Sequence, residues 1–368
     1  AALLAAAGPA LADVNIGVTL SLTGPASGLG IPAGNQFKLW PKEVAGQKVN
    51  LIILDDASDP GKGVQNVRRL VTDDKVDMIF GGSITTVSAA IAPVATEAKT
   101  TQISLAPVGV PPDQERWIFR LPQGFTVMAY PLVEHMKKSG VKTLGFLGYT
   151  DAYGELWLKE ITAQAEKAGI KVVAVERFAR SDTSATPQAL KLVSANPDAM
   201  LVVASGSGAA MPHKAIVERG YKGRIYQTHA AATPDLVRIG GKDVEGAIVV
   251  SGPAVVAEQL PDSHPSKPAA VDFVSNYEKA YGAGSRSQFA GHAYDAKIML
   301  EKILPVALKV AKPGTPEFRA ALRDAVEGMG RTIFAHGVMN WTATDHWGYT
   351  NETGVLLKVV DGKFVVER

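Results

Sequence analysis

The sequence predicts an α/β protein with two doubly wound, Rossmann-like lobes, each a parallel sheet covered by helices on both faces. Short unbroken apolar runs alternate with longer helical segments, which is typical of parallel strands buried between two helical layers. The alternation restarts near residue 125, so two similar blocks follow one another. A length of 368 residues also favours two domains.

The chain opens with a segment typical of export signals. Residues 1–12 are almost all alanine and leucine and end in Ala10-Leu11-Ala12, the small-x-small pattern that a signal peptidase accepts. This predicts a signal-peptide remnant cleaved after Ala12 and a periplasmic location for the mature chain, which would begin at Asp13. The alternative is an ordinary apolar first helix, although the strand-like run after Asp13 argues against it.

The first block begins with a buried strand, a loop rich in glycine, serine and threonine, and a helix to about Val44. A second helix is expected to begin at Asp59-Pro60, because Asp59 is a good N-cap acceptor and Pro60 sits where no N–H is needed. A third helix is expected over 85–99. The predicted strands cover residues 14–20, 49–54, 76–80 and 101–105.

The second block repeats this order and is followed by a long helical section and two strand-like runs. We expect the helical section to return to the first lobe and the last strands to cross back to the second. The predicted lobes are residues 13–131 with 254–336, and residues 132–253 with 337–368. Helices are expected at 125–139, 153–168, 186–196, 209–220, 234–239, 268–281, 288–310 and 316–327, and strands at 143–148, 171–176, 199–204, 224–227, 247–251, 337–340 and 354–360.

Composition excludes several classes of site and partner. Cysteine is absent, which removes disulfides, thiolate zinc sites and cysteine nucleophiles. The net charge of +2, from 38 basic and 36 acidic residues, gives no field strong enough to indicate nucleic acid or an anionic membrane as a partner. Outside the export signal, no apolar run approaches the roughly 18 residues that a membrane span needs.

Enzyme, cofactor and metal motifs are weak. Residues 28–34 read GxGxxxG rather than the dinucleotide fingerprint GxGxxG, and they lie too far beyond the preceding strand. Neither GxSxG nor HExxH occurs. We interpret His292 with Asp295, and Asp345 with His346, as packing contacts. The sequence therefore predicts no enzymatic activity, no cofactor and no metal.

The loops at the carboxyl ends of the predicted strands are small or hydroxylic, and ligands of open α/β sheets bind at this edge. Backbone amides, hydroxyls and helix N-termini suit a carboxylate. For any single loop, capping of the next helix is an equally good explanation, but six such loops at one edge favour a pocket. The loops are 21–30, 81–88, 105–109, 149–154, 205–208 and 228–231.

Five stretches, in order and spacing, resemble the leucine/isoleucine/valine-binding family of ABC-transporter solute-binding proteins, which have the type I periplasmic binding fold. They are Ile16-Gly17-Val18 with Ser21-Leu22-Thr23-Gly24, Asp55-Asp56 with Asp59-Pro60, Gly81-Gly82-Ser83 with Ser88-Ala89, Asp151-Ala152-Tyr153-Gly154, and Tyr294-Asp295-Ala296. The resemblance implies two lobes joined by three hinge crossovers, closure over a small ligand, a monomer, and a membrane permease as partner.

The resemblance also implies site residues. A hydroxyl matching Ser83 and the loop around Ala106 would hold the ligand's carboxylate, with Thr85 and Thr86 close by, and Tyr153 would contact it from the second lobe. The complete candidate set is Ser27, Leu29, Ser83, Thr85, Thr86, Ala106, Asp151, Tyr153, Ser205, His229 and Ala230.

The sequence departs from the amino-acid-binding members at one position. Those members resemble one another in an acidic residue that pairs the ligand's ammonium group, where this chain has Thr228-His229-Ala230-Ala231. A buried ammonium without a partner is unfavourable by several kcal/mol. The resemblance to members with hydroxyl-rich loops therefore favours an aromatic acid of the benzoate, hydroxybenzoate or phenylpropanoid type, with His229 or Asp151 meeting a ring hydroxyl.

Three alternatives remain at this point. The ligand could be a branched-chain or other amino acid, with Asp151 pairing its ammonium group. The chain could be a ligand-sensing regulator of the same fold, although the export signal argues against this. His229 could be a solvent-facing hinge residue rather than a ligand contact.

Overall fold

Two mainly parallel sheets form the centre of the computed structural model, which describes residues 13–350 and 353–367. The predicted signal-peptide remnant, residues 1–12, lies outside the described residues. The strands of the first sheet are β1 (Val14–Leu20), β2 (Glu43–Val44), β3 (Gln47–Asp55), β4 (Met78–Phe80), β5 (Thr101–Ser104) and β6 (Ile118–Arg120). Their order is β2-β3-β1-β4-β5-β6, with β2 antiparallel at the edge.

The second sheet has seven strands and is completed by the end of the chain. The later strands are β7 (Thr143–Tyr149), β8 (Lys171–Phe178), β9 (Ala199–Val203), β10 (Arg224–Gln227), β11 (Ile248–Ser251), β12 (Thr332–Phe334), β13 (Gly337–Met339), β14 (Val355–Val360) and β15 (Lys363–Val366). The sheet order is β15-β14-β11-β10-β9-β7-β8, while β12 and β13 form a separate hairpin. The last two strands of the sheet run antiparallel to their neighbours.

Helices connect most of the parallel strands. They are α1 (Ser27–Lys38), α2 (Pro60–Thr72), α3 (Thr85–Glu97), α4 (Pro112–Glu115), α5 (Phe125–Lys138), α6 (Ala152–Lys167), α7 (Thr186–Ser194), α8 (Ser207–Glu218), α9 (Pro234–Gly240), α10 (Lys267–Tyr281), α11 (Gln288–Ala307) and α12 (Pro316–Glu327). The predicted two-lobed α/β fold is confirmed. Within the described residues, no helix is both long and apolar enough to cross a membrane.

Local sequence explains why these elements form where they do. Asp59 is the N-cap of α2, as predicted, and accepts a hydrogen bond from the Lys62 N–H at 2.7 Å. Pro60 lies in the first turn of the helix. Strand β1 is buried along nearly its whole length because it pairs with β3 on one side and β4 on the other. A continuous apolar run is what such a central parallel strand requires.

The first helix is shorter than expected. It ends at Lys38 rather than near Val44, because Pro41 disfavours helical geometry in the residue before it. The chain then makes a hairpin in which Ala45 and Gly46 both have positive φ, the geometry of a two-residue turn, and Val44 pairs with Gln47. The expected helix end therefore becomes strand β2.

The expected lobe boundaries also shift. Helix α5 packs against α6 and β11 of the second lobe, so the first crossover precedes Phe125 and the expected boundary at residue 131 falls inside a helix. Near the other end, Trp341 and Tyr349 pack into the core of the first lobe, and Arg120 N–H bonds to the His346 carbonyl. The chain therefore enters the second lobe at β14 rather than at residue 337.

Candidate functional site

A cavity lies between the two lobes, at the carboxyl ends of the parallel strands. The space in it that the centre of a water molecule can occupy is about 20 Å³, so its walls lie close together in this structure. The first lobe, the second lobe and helix α11 all contribute to its walls. The lining residues are Leu29, Ser83, Ile84, Thr85, Leu105, Ala106, Pro107, Pro122, Tyr153, Arg180, Ser205, His229, Ala230, Phe289 and His292.

Most of the predicted site residues meet in this cavity. Those that line it are Leu29, Ser83, Thr85, Ala106, Tyr153, Ser205, His229 and Ala230. Ser27, Thr86 and Asp151 are not among the lining residues. Ser27 is the first residue of α1 and Thr86 lies in the first turn of α3, both partly buried, whereas Asp151 lies behind the second-lobe wall.

The wall of the first lobe is a set of hydrogen-bond donors. The Ser83 hydroxyl accepts the Ser21 N–H at 3.1 Å, which leaves its own proton free for a ligand. Ile84, the N-cap residue of α3, supplies no side-chain cap, so the first-turn amides of α3 have no such partner. Thr85 donates to the Pro107 carbonyl at 2.9 Å and ties the helix to the loop that carries Ala106. This wall suits a carboxylate.

Tyr153 forms part of the opposite wall and is buried in the second lobe. Its hydroxyl is 2.8 Å from the Thr228 hydroxyl, and burial raises the pKa of the phenol. One residue later, a Cβ at Gly154 would lie 1.8 Å from the Tyr149 carbonyl oxygen, so only glycine lets α6 start this close to β7. Tyr153 therefore presents a protonated, fixed ring to the cavity.

Asp151 has a structural task. One carboxylate oxygen accepts the N–H groups of Tyr153 and Gly154 at 3.0 and 3.2 Å, which caps α6, and the other accepts from Arg180. With both oxygens engaged and the residue outside the cavity lining, this carboxylate is not placed to pair the ammonium group of a ligand.

Arg180 is the functional candidate that the sequence prediction missed. It follows β8, and its side chain is 14% exposed. It donates to the Ser205 hydroxyl at 2.9 Å and lies over the Tyr149 ring at 4.0 Å. Strand β8 ends at the same sheet edge as the strands that precede the six predicted loops. Considering the loop after β8 as well would have identified Arg180. Arg180 brings to the cavity a guanidinium group that is ion-paired with Asp151.

His229 is buried, only 2% exposed, so the interpretation as a solvent-facing hinge residue is wrong. Burial, together with the nearby His336, lowers the pKa of its imidazole to about 3, and the ring is neutral at physiological pH. Its Nδ1 has no hydrogen-bond partner among the described residues. His229 therefore offers a neutral polar group, not a charge, to a ligand.

Helix α11 closes one side of the cavity with Phe289 and His292, which sequence reasoning did not place in the site. His292, Asp295 and His336 are all buried, and their ligand atoms lie within 4.8 Å of one another. The cluster does not suit a metal. Asp295 already accepts two N–H groups and His336 Nδ1, and the two imidazole rings stack at 4.2 Å instead of converging on a common point.

Comparison with known proteins identifies a family model and a curated relative that match most of the chain. Residues 13–363 match the family described as periplasmic binding protein. Leu/Ile/Val-binding protein homolog 7 of Brucella suis biovar 1 (strain 1330) is 24% identical over 357 residues, which cover 92% of this chain and 87% of that protein.

Solved structures are similar over almost the whole chain. An extracellular ligand-binding receptor from Rhodopseudomonas palustris HaA2 is 46% identical with a TM-score of 0.95, covering 97% of this chain and 100% of that one. A solute binding protein of an ABC transporter from Rhodopseudomonas palustris BisB5, in complex with 3,4-dihydroxy benzoic acid, is 23% identical with a TM-score of 0.78, covering 96% and 95%. The second likeness shows the fold alone.

These matches agree with the two-lobed α/β fold. The predicted type I periplasmic binding fold and the predicted resemblance to the leucine/isoleucine/valine-binding proteins are confirmed. The chain therefore belongs to the periplasmic binding protein family.

Proposed function

We propose that the protein captures a small aromatic acid between its lobes in the periplasm and, as a monomer without enzymatic activity, delivers it to the membrane permease of an ABC transporter. The observation that carries the ligand class is the charge of the cavity. Arg180 is a lining residue, and none of the lining residues, all from the described ranges, is an aspartate or glutamate. Arg180 also pairs with Asp151 behind the wall, and an anionic ligand fits a lining that offers a guanidinium and no carboxylate.

The carboxylate would bridge the lobes. Ser83 and the uncapped amides of α3 face the cavity from the first lobe, and Arg180 faces it from the second. A carboxylate that accepts hydrogen bonds from both walls binds the closed form better than the open form, and this difference in affinity drives closure. The permease would then recognise the closed, loaded form.

An α-amino acid is a poorer match to this site. Its ammonium group would enter a cavity whose charged lining side chain is Arg180, while Asp151 already caps α6 and pairs that same arginine. A buried ammonium without a carboxylate partner is strongly unfavourable. The name of the Brucella relative supports branched-chain amino acids as the alternative, and the experiment below separates the two classes.

The remaining lining fits a flat ring. Leu29, Leu105, Pro122 and Phe289 supply apolar surface, and Tyr153 adds an aromatic ring. Apolar walls with a few fixed polar groups are typical of small-molecule sites. The ligand of the BisB5 protein, 3,4-dihydroxy benzoic acid, also supports an aromatic acid here.

The test is a thermal-shift and calorimetric screen of protein that has been stripped of ligand by unfolding and refolding. Benzoate, 4-hydroxybenzoate and 4-hydroxycinnamate should raise the melting temperature, because a ligand that binds only the native state stabilises it. Benzamide, which has the ring without the charge, is the matched control and should give little or no shift. Shifts with leucine or valine and none with any aromatic acid would overturn the proposal.

A further inference from the structure

A pair of buried histidines at the cavity has hydrogen-bonding capacity that the protein does not use. His292 lines the cavity and is 1% exposed, and its ring stacks on that of His336 at 4.2 Å. Both ring nitrogens of His292, and Nε2 of His336, lack a hydrogen-bond partner within the residues the structure describes. Buried polar groups in proteins are nearly always paired, so an unpaired one beside a cavity indicates a ligand.

The position of this pair is built into the fold. The His336 ring fits between two glycines, since a Cβ at Gly291 would lie 2.1 Å from the ring and one at Gly252 would lie 2.4 Å from it. Asp295 accepts a hydrogen bond from His336 Nδ1 at 2.9 Å, which fixes the orientation of the His336 ring. His292 is thus held between a fixed ring and the cavity.

We propose that His292 is the residue that recognises a hydroxyl substituent of the ligand, so that the cavity prefers hydroxylated aromatic acids to unsubstituted ones. His336 and Asp295 are positioning residues that fix the orientation of His292. This inference rests on the proposed function, because it names the substituent that the same cavity selects.

The chemistry of a neutral imidazole fits this role. Such a ring has one N–H donor and one bare acceptor, and a phenolic hydroxyl can both donate and accept. Burial, with His336 and His229 nearby, holds the pKa of His292 well below its usual value. An acid without the hydroxyl would place the C–H edge of its ring against the imidazole nitrogens of His292 and leave them without hydrogen bonds. A site that hydrogen-bonds a hydroxyl group therefore binds such an analogue less tightly.

The experiment compares matched pairs of acids by calorimetry on the full chain: benzoate with 3- and 4-hydroxybenzoate, and cinnamate with 4-hydroxycinnamate. In the wild type, at least one hydroxylated acid should bind about tenfold or more tightly than its parent. In His292→Phe the preference should fall to about twofold or less, since phenylalanine keeps the ring and removes both nitrogens.

Two further variants separate recognition from general damage. His213→Phe changes a buried histidine on α8 that lies outside the cavity lining, and it should keep the wild-type preference. Asp295→Asn should reduce the preference for the hydroxylated acid over its parent, because it loosens the positioning of His336. If Asp295 had only a structural role, Asp295→Asn would lower the affinity for both acids equally.

The outcomes are distinguishable. If aromatic acids bind but the hydroxylated and parent acids bind equally, or if His292→Phe keeps the preference, this inference is wrong and the proposed function stands. If no aromatic acid binds, the proposed function itself fails. Should His292→Phe not fold, imidazole ¹⁵N spectra of the wild type decide the matter: the His292 resonances should shift with a hydroxylated acid and not with its parent, and equal shifts would overturn the inference.

Discussion

The guanidinium carbon of Arg180 lies 4.0 Å from the centroid of the Tyr149 ring. The same side chain donates to Asp151 and to Ser205, so three residues of the second lobe hold it in place. An arginine held in this way loses little further conformational freedom when a ligand binds, which favours tight binding of a carboxylate. Arg180 is therefore the second-lobe counterpart of Ser83 in the first lobe.

Arg180→Gln should weaken the binding of benzoate or 4-hydroxybenzoate about tenfold or more. The reason is the loss of a charge-assisted hydrogen bond, which contributes about 1.5–3 kcal/mol. Calorimetric titration of the variant against the wild type measures the effect.

The matched control is Arg177→Gln. Arg177 belongs to the same strand-end region, but it pairs with Glu155 on the surface and does not line the cavity. Its replacement should leave the affinity unchanged. Equal affinity in the wild type and both variants would mean that Arg180 only supports Asp151 and Tyr149.

Ser83→Ala should also lower the affinity for aromatic acids, by roughly tenfold, because it removes one hydroxyl donor from the carboxylate site. It leaves the Ser21 N–H without its partner, so the free energy of unfolding should fall by about 1 kcal/mol. Ser194→Ala, which removes an exposed hydroxyl from the end of α7, is the control and should change neither quantity appreciably. An unaltered dissociation constant for Ser83→Ala would remove this hydroxyl from the site.

The sequence predicted the order of the strands and helices well, because continuous apolar strands and capped helices are local signals. Asp59 before Pro60 is one example. The lobe boundaries could not be predicted in the same way, because they depend on which distant surface a segment meets. The sequence of α5 does not show that this helix packs on the second lobe. The sequence around Trp341 does not show that this side chain packs in the first lobe.

The site was partly predictable for a similar reason. Ser83, Ala106 and Tyr153 follow strands, and parallel strands bring their carboxyl ends to one edge. His292 lies within α11, whose first half is buried on every side, so its periodicity does not reveal a cavity face. Arg180, in a polar loop, looks like an ordinary surface cation in the sequence. Only the tertiary structure shows its contact with Tyr149.

Tyr153 can be tested by removing its hydroxyl alone. In Tyr153→Phe the ring keeps its packing against Phe125 and Trp157, while the bond to Thr228 is lost, so the free energy of unfolding should fall by only about 1 kcal/mol. Tyr153→Ala should lose about 3–5 kcal/mol, because it opens a hole in a buried cluster. Urea denaturation of both variants checks this order, and equal stabilities would show that the ring is not part of the core.

Three buried histidines should make the stability of the protein fall in mild acid. Burial is the main cause that lowers the pKa of His213 to about 4, of His229 to about 3, and of His292 well below its usual range. In the unfolded chain each has an ordinary pKa near 6.5. As the pH drops below that value, the unfolded chain takes up protons that the folded protein does not, so acid favours unfolding.

The stabilising effect is complete above about pH 7 and is lost progressively as the pH falls from about 6.5 toward the folded pKa values, by up to about 1.4 kcal/mol per pH unit for each histidine. Urea denaturation at pH 7.5, 6.0 and 5.0 measures it. Burial raises the pKa of Asp56 and Asp77, which opposes the trend where these carboxyls take up protons. In His213→Gln the free energy of unfolding should fall less steeply with decreasing pH, by up to about 1.4 kcal/mol per pH unit. A free energy of unfolding that stays constant from pH 7.5 to 5.0 would show that these imidazoles can be protonated in the folded protein.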